Sequence, residues 1–414
     1  MIQIAPGPVS GRLRAPASKS HAQRVLIAAS LAEGTSRILN PGSSADVRAC
    51  LSVIQALGAQ VEDRGQELLI RGGGQPASDL LDCGESGFCL RSTSAVAALF
   101  DRRLTLAGHG SLATRPVDMV VDALRQFGVL VETRGGCPPV TIQGPLRGGR
   151  AVVDGSSSSQ FLSGLLLALP RAQGDSELEV QNLRSGPYVQ MTLDVLKAFG
   201  LQAEATADLS RFRIPGRQAY RAATVDVEGD WSGAAFLLVA GAIAGDVTVE
   251  GLLAHSAQAD RAILAALEAA GAVPVWEQGA VRVRRTDLRA FDFDATDCPD
   301  LFPPLAALAC HCEGTTRILG VDRLKHKESD RAAALCKELG ALGAAVEVQG
   351  NLMLVTGGPL RGATVDSHND HRIAMAAAVA ALRSQFGVAI EGEGCVAKSY
   401  PEFFEDLATL QGHS

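Results

Sequence analysis

Ala56-Leu57-Gly58-Ala59-Gln60-Val61-Glu62 closes an apolar helical pattern, turns on a glycine and opens a strand, and the same order of events returns four times. The other copies are QFGVLVE at 126–132, AFGLQAE at 198–204, AAGAVPV at 269–275 and ALGAAVE at 341–347. Their glycines, Gly58, Gly128, Gly200, Gly271 and Gly343, are separated by 70, 72, 71 and 72 residues. A fixed long period marks a repeated supersecondary unit. The residue types give its content, a helix stopped by glycine followed by a strand, a turn and a second strand.

After each glycine segment come a further short strand and a second helix start. VTIQGPLRGGRAVVDGSS (140–157) and LVTGGPLRGATVDSHND (354–370) share a Gly-Pro-Leu-Arg-Gly turn and a Val-Asp strand,. LLIRGGGQPASDLLDCGES (68–86) and FRIPGRQAYRAATVDVEGDWS (212–232) fit the same frame. A sixth copy reaches FFEDLATLQGHS (403–414) without closing strands, and MIQIAPGPVSGRLRAPASKS (1–20) supplies them. The expected fold is therefore mixed α/β (α+β), with two domains, 18–227 and 1–17 joined to 228–414. Each holds three β-α-β-α-β-β units around buried, roughly parallel helices. Those helices are expected to start at Ser18, Gly84, Gly155, Gly229, Pro299 and Asn369, with their N-termini facing one cleft between the domains. The chain crossings near 14–17 and 227–229 would serve as a hinge, closing when substrate binds.

Composition limits the function classes. The 414 residues are 47% hydrophobic and 20% charged, which suits globular domains with sizeable cores,. With 38 Lys+Arg against 45 Asp+Glu the net charge is −7, which argues against a general nucleic-acid surface, so any anion site is local,. Nine cysteines without paired spacing, and a start lacking a basic region followed by an apolar one, read as reduced thiols in the cytoplasm,. No apolar run is long enough for a membrane span. Cys310-His311-Cys312 would send its thiols to different sides of a helix, and no tetrahedral metal pattern is found.

The six helix starts differ in chemistry where scaffold repeats would be alike. ASKSHAQR (17–24) offers Lys19, Ser20 and Arg24 to an anion at a helix N-terminus, where backbone N–H groups lack partners and the dipole is positive,. CGESGFCLR (83–91) brings Glu85, Gly87 and Arg91, and DGSSSSQF (154–161) brings Ser158, Ser159 and Gln160. ATDCPDLFPP and HNDHR add Asp300, Asp370 and Arg372. The second helices contribute Arg115, Ser185, Tyr188 and Lys398, and LKHKESDR is expected to align Lys327, Glu328 and Arg331 on one helix face,. Many cations and few acids suit two small anionic substrates held by phosphate and carboxylate, with carboxylates left for proton transfer.

At these residues the sequence resembles the 5-enolpyruvylshikimate-3-phosphate synthase family of enolpyruvyl transferases. ASKSHAQR, DGSSSSQF, RSGPYVQ, CPDLFPPLAALA, HKESDR, NDHRIAMA and AKSYPEFF occur in that family's order. The resemblance implies that Lys19, Ser20, Arg24, Ser158, Ser159, Gln160, Ser185, Tyr188, Asp300 and Lys327 hold shikimate 3-phosphate. It implies that Lys19, Gly87, Arg91, Arg115, Gln160, Arg331, Arg372 and Lys398 hold phosphoenolpyruvate. Asp300 is the candidate base on the 5-hydroxyl, and Glu328 with Lys19 are the candidates for the C3 proton; the two roles can be exchanged. The resemblance implies no metal and no organic cofactor; with no nucleic-acid or membrane partner indicated by composition, the expected partners are the two small-molecule substrates and the expected state is a monomer. Phe88 stands where the family carries a small residue, which bears on the phosphoenolpyruvate pocket and on glyphosate, the family's inhibitor there. The rival UDP-N-acetylglucosamine enolpyruvyl transferases carry a reactive cysteine before their Arg-Pro step, whereas GHGSLATRPVD (108–118) has none. A catalytically silent anion-binding protein would have no need of Asp300 and Glu328.

Overall fold

The computed structural model describes residues 1–156, 158–325 and 327–412; Ser157 of DGSSSSQF, His326 of HKESDR and the last two residues of the second expected domain lie outside the described residues. The described residues include twelve α-helices: α1 Lys19–Leu31, α2 Ala45–Ala56, α3 Gly87–Ala97, α4 Asp118–Gln126, α5 Gln160–Ala168, α6 Gly186–Ala198, α7 Trp231–Ala244, α8 Ile263–Ala269, α9 Phe302–Ala309, α10 Arg331–Ala341, α11 His371–Ala381 and α12 Phe403–Leu410. Contacts divide the chain into a central unit, Lys19–Val227, and a terminal unit made of Met1–Ser18 and Glu228–Ser414.

The repeat glycines all end even-numbered helices. Gly58, Gly128, Gly200, Gly271 and Gly343 have φ between +75° and +102° and directly follow the C-caps of α2, α4, α6, α8 and α10. The next residue's N–H then reaches back to the last turn, Ala59 to Ile54, Val129 to Leu124, Leu201 to Leu196, Ala272 to Leu267 and Ala344 to Leu339. This Schellman closure needs a left-handed residue, which glycine adopts without a Cβ penalty, and an apolar residue after it. Gly412, with φ +78°, ends α12 in the sixth copy.

Each closure feeds a small sheet. In the central unit Thr35–Leu39 pairs antiparallel with Glu67–Arg71, which pairs with Gln60–Asp63, while Thr224–Asp226 adds a parallel edge. Two further four-stranded sheets, containing Arg103–Ala107 and Ser176–Gln181, have the same order. In the terminal unit, the sheet around Gly245–Glu250 takes Val9–Arg14 as its parallel edge, with Gly11 opposite Val247. Ile2–Ile4 runs antiparallel to Val388–Glu391, with Ile2 opposite Ile390. Strand alternation sets the buried face, Thr316 and Ile318 lying inward while Arg317 points out,.

The odd-numbered helices form the cores. Every residue of α7, WSGAAFLLVAGAIA, is buried, as a helix apolar all round requires,. It packs on α9 and α11, and in the central unit α3 packs on α1 and α5. These helices begin one to five residues later than the sequence suggests, and α9 follows a 3₁₀ turn at Pro299–Leu301. Before α3, α5, α9 and α11 the delay has a local cause. The aspartate ending the preceding strand accepts a hydrogen bond from the N–H two residues on: Asp82 from Gly84, Asp154 from Ser156, Asp294 from Thr296 and Asp366 from His368. An Asx turn therefore intervenes between strand and helix.

The closing glycines can be tested singly. A Cβ at Gly128 meets nothing within 4 Å, so Gly128→Ala should cost only its left-handed conformation, about 1–2 kcal/mol,. A Cβ at Gly58 would come 2.2 Å from the Gln75 carbonyl oxygen. Gly58→Ala should therefore lower the urea unfolding midpoint well beyond Gly128→Ala.

Candidate active site

In the central unit, α1 begins at Lys19, whose Nζ lies 2.9 Å from Asp46 Oδ2 in the first turn of α2. A carboxylate there sits at the positive end of the helix dipole. Arg24, about one and a half turns further along α1, is 2% exposed,. Its Nε donates to Thr192 Oγ1 (2.8 Å), Nη1 to Ser20 O (2.7 Å), and Nη2 to Ser163 Oγ (3.1 Å) and Tyr188 O (3.2 Å). The guanidinium carbon is 4.3 Å from the Phe88 ring centroid and 5.9 Å from that of Tyr188. Burial pulls the guanidinium below its ordinary value, and these hydrogen-bond acceptors are neutral. Among the described residues these partners are dipoles and ring faces, and a buried cation held in that way favours an incoming anion,.

The next two odd-numbered helices contribute donors. Ser86 caps α3 by accepting from Cys89 N–H and donates to Gln23 Oε1 (3.0 Å). A Cβ at Gly87 would come 3.0 Å from Nη1 of both Arg91 and Arg115, so only glycine leaves the two guanidinium groups that space. Arg91 Nη1 also donates to Gln160 Oε1 (2.8 Å), and Ser158 Oγ accepts from Gln160 N–H at the start of α5. Ser159 is buried, as is Ser185, which holds φ +57° at the start of α6, and the Tyr188 N–H donates to the Ser185 carbonyl. Glu85 accepts from the Ser111 N–H and hydroxyl. Phe88 directs its bulk under Arg24.

The terminal unit carries Asp300, Glu328 and Asp370. Asp300, 29% exposed, accepts from Arg331 Nη1 (2.7 Å) and Lys327 Nζ (3.4 Å) through Oδ1, and from Arg372 Nη2 (3.0 Å) through Oδ2. Arg331 is 1% exposed, and each of its three nitrogens donates to a carboxylate: Nε to Asp370 (2.8 Å), Nη2 to Glu328 (2.6 Å) and Nη1 to Asp300. Burial would lower the Arg331 guanidinium, but Asp370, Glu328 and Asp300 raise it above the ordinary range. Burial holds Lys327 below its usual value, with Asp300 opposing. Asp370 caps α11 through Arg372 N–H, and Lys398 Nζ donates to Asn369 O (2.8 Å).

One local expectation is corrected. Lys327 and Glu328 do not lie on a helix face with Arg331, because α10 starts at Arg331, with Asp330 as its cap accepting from Ala333 N–H. Glu328 reaches Arg331 across that cap from the preceding bend.

Sequence reading also missed several participants. Asp46, Thr192 and Ser163 are distant in sequence from the groups they hold and belong to no local pattern. Asp260 is fully buried and accepts from Ser232 Oγ in the first turn of α7, while its Oδ1 has no hydrogen-bond partner among the described residues. Burial and the charge of Asp300 push this carboxyl up to about 7, against the opposing Arg372 and the Ser232 hydrogen bond; Asp230 adds to the rise.

A chain of six repeats, with arginines and lysines gathered at helix starts and carboxylates woven among them, has the architecture of an enolpyruvyl transferase. The family model for EPSP synthase (3-phosphoshikimate 1-carboxyvinyltransferase) matches residues 4–407. The chain is 38% identical over 408 residues to the 3-phosphoshikimate 1-carboxyvinyltransferase of Methanocorpusculum labreanum, covering 97% of this chain and 96% of that one. It is 40% identical over 410 residues to the protein of that name from Aeropyrum pernix, covering 99% and 95%. The solved EPSP synthase of Acinetobacter baumannii superposes with a TM-score of 0.82 at 28% identity, covering 98% and 97%. The chain belongs to the EPSP synthase family. Among the described residues, no helix is long and apolar enough to cross a membrane.

Asp260 supplies a pH test. Its folded value lies above that of an unfolded aspartate, so the folded chain holds a proton that the unfolded chain releases between about pH 4 and 7,. Its contribution to stability is full below pH 4 and lost as pH rises through 7. Asp260→Asn, which mimics the protonated form, should show a higher urea midpoint than wild type at pH 8, with the gap closing by pH 4.

Proposed function

We infer that the chain transfers the enolpyruvyl group of phosphoenolpyruvate to the 5-hydroxyl of shikimate 3-phosphate and releases phosphate, in the route to chorismate and the aromatic amino acids. Shikimate 3-phosphate is assigned to Ser20, Arg24, Ser158, Ser159, Gln160, Ser185 and Tyr188, with Lys19, Asp300 and Lys327. Phosphoenolpyruvate is assigned to Lys19, Gly87, Arg91, Arg115, Gln160, Arg331, Arg372 and Lys398. The functional domains follow the division read from the repeats, 18–227 and 1–17 with 228–414. We take the enzyme to act as a cytoplasmic monomer; its nine free cysteines suit a reducing compartment,.

The chemistry is an addition followed by an elimination. The 5-hydroxyl oxygen bonds to C2 of phosphoenolpyruvate, its proton passes to a base, and the C2–C3 electron pair takes a proton at C3. Loss of a C3 proton then restores the double bond as the C2–O bond to phosphate breaks. The observation that carries this reading is the position of Asp300 among Lys327, Arg331 and Arg372. In the free chain both oxygens of this carboxylate accept from these cations. An arriving carboxylate and phosphate compete for those cations, and Asp300 is freed to take the hydroxyl proton once substrate is present. Glu328 and Lys19 are the groups proposed for the C3 proton. The ion pair with Asp46 holds the Lys19 Nζ in place at the start of α1. Arg91 and Arg115, converging over Gly87, offset the charge that grows on the departing phosphate,.

Phosphate release by the purified chain should require both substrates, and UDP-N-acetylglucosamine should not replace shikimate 3-phosphate. Asp300→Asn should lower kcat by about 10²–10⁴-fold. Release that needs only one substrate, or an unchanged kcat in that variant, would sink the reading.

A further inference from the structure

The Asx turn that precedes α11 differs from its counterpart before α3. There the left-handed residue is Gly84, with φ +56°. Before α11 the equivalent place is taken by His368 and Asn369, with φ +52° and +53°. Left-handed backbone at two consecutive non-glycine residues is strained and persists only when its surroundings hold it.

The holding group is Glu338, a buried carboxylate on α10, the helix that begins with Arg331. Its Oε2 accepts from the Asp366 N–H (3.0 Å), at the entry to the turn. Its Oε1 lies 2.6 Å from His368 Nε2 and 2.9 Å from Lys337 Nζ. Burial alone would raise this carboxyl, but Lys337, His368 and the Asp366 N–H together hold it below the usual range. Asp366 faces the other side of the imidazole, 4.0 Å from Nδ1. What the turn carries is functional. The Asn369 carbonyl accepts from Lys398, and the next residues are Asp370, which holds Arg331, and Arg372.

We propose that Glu338 and His368 form a strut that fixes the turn at 366–369, and that they are positioning residues for Lys398, Arg331 and Arg372 at the phosphoenolpyruvate end of the reaction. This rests on the assignment of those three cations to phosphoenolpyruvate. Neither strut residue touches substrate. Each acts through the backbone of the turn, so loss of the strut should move phosphoenolpyruvate binding and leave shikimate 3-phosphate binding in place.

The test is steady-state kinetics of the full chain with each substrate varied in turn. His368→Gly removes the imidazole at a position whose φ glycine adopts freely, so the backbone is not further strained. In Glu338→Ala and His368→Gly the KM for phosphoenolpyruvate should rise about tenfold, the scale expected of a small displacement of binding groups, with the KM for shikimate 3-phosphate within about twofold of wild type. Glu338→Gln, which keeps one acceptor, should recover part of the loss. Unchanged KM values in Glu338→Ala and His368→Gly would overturn the strut, as would an equal rise for both substrates. Arg372→Gln and Lys398→Met separate the two levels. If they raise the phosphoenolpyruvate KM while the strut variants do not, the strut alone fails. If they too leave it unchanged, the assignment of the cations fails with it.

Discussion

In α3, α7, α9 and α11 every residue is buried, so these helices have no solvated flank on which to carry chemistry. Only their ends remain, and the two ends are not equivalent. The N-terminus offers unpaired N–H groups and the positive end of the dipole, and it is there that Ser86, Asp230 and Asp370 cap the chain and that Arg91 and Arg372 emerge,. The outer, even-numbered helices are freer in sequence. They supply what the buried ones cannot, including Arg331 at the start of α10 and Asp46 in the first turn of α2.

The two units meet the cost of burying cations differently. Arg24 in the central unit is held by hydroxyls, carbonyls and two rings, none of which carries charge. Arg331 in the terminal unit is held by three carboxylates. The first arrangement leaves positive charge seeking a partner, which suits a phosphate. The second is a network in which a ligand gains by displacing an internal partner, as the proposed release of Asp300 requires.

Much of this was legible in the sequence because it is periodic. The five spaced glycines identified five helix ends, and the Schellman bonds at Ala59, Val129, Leu201, Ala272 and Ala344 explain why a small or apolar residue follows each one. The mixed α/β architecture followed from what lies between them. The helices start slightly later than the apolar pattern indicates because the Asx turns at Asp82, Asp154, Asp294 and Asp366 do not interrupt that pattern; they only delay it. The shared face read for Lys327, Glu328 and Arg331 failed for a related reason, since a run of charges with helical spacing looks the same on either side of a cap. Asp46, Asp260, Ser163 and Thr192 left no trace. Each matters through a partner far along the chain, and an isolated polar residue in an otherwise ordinary helix gives no sign of where its partner lies.

Two strands near the start of the chain complete sheets whose other members come much later, Val9–Arg14 beside Gly245–Glu250 and Ile2–Ile4 beside Val388–Glu391. On the ribosome the central unit, being contiguous, can collapse while the terminal unit is still being made, whereas these early strands wait unpaired until Gly245–Glu250 and Val388–Glu391 emerge,. A waiting strand is an open invitation to intermolecular pairing. The sequence VSGRLR answers that hazard: Ser10, Gly11, Arg12 and Arg14 are exposed even in the folded sheet, and two positive charges with a glycine make a poor template for another chain,.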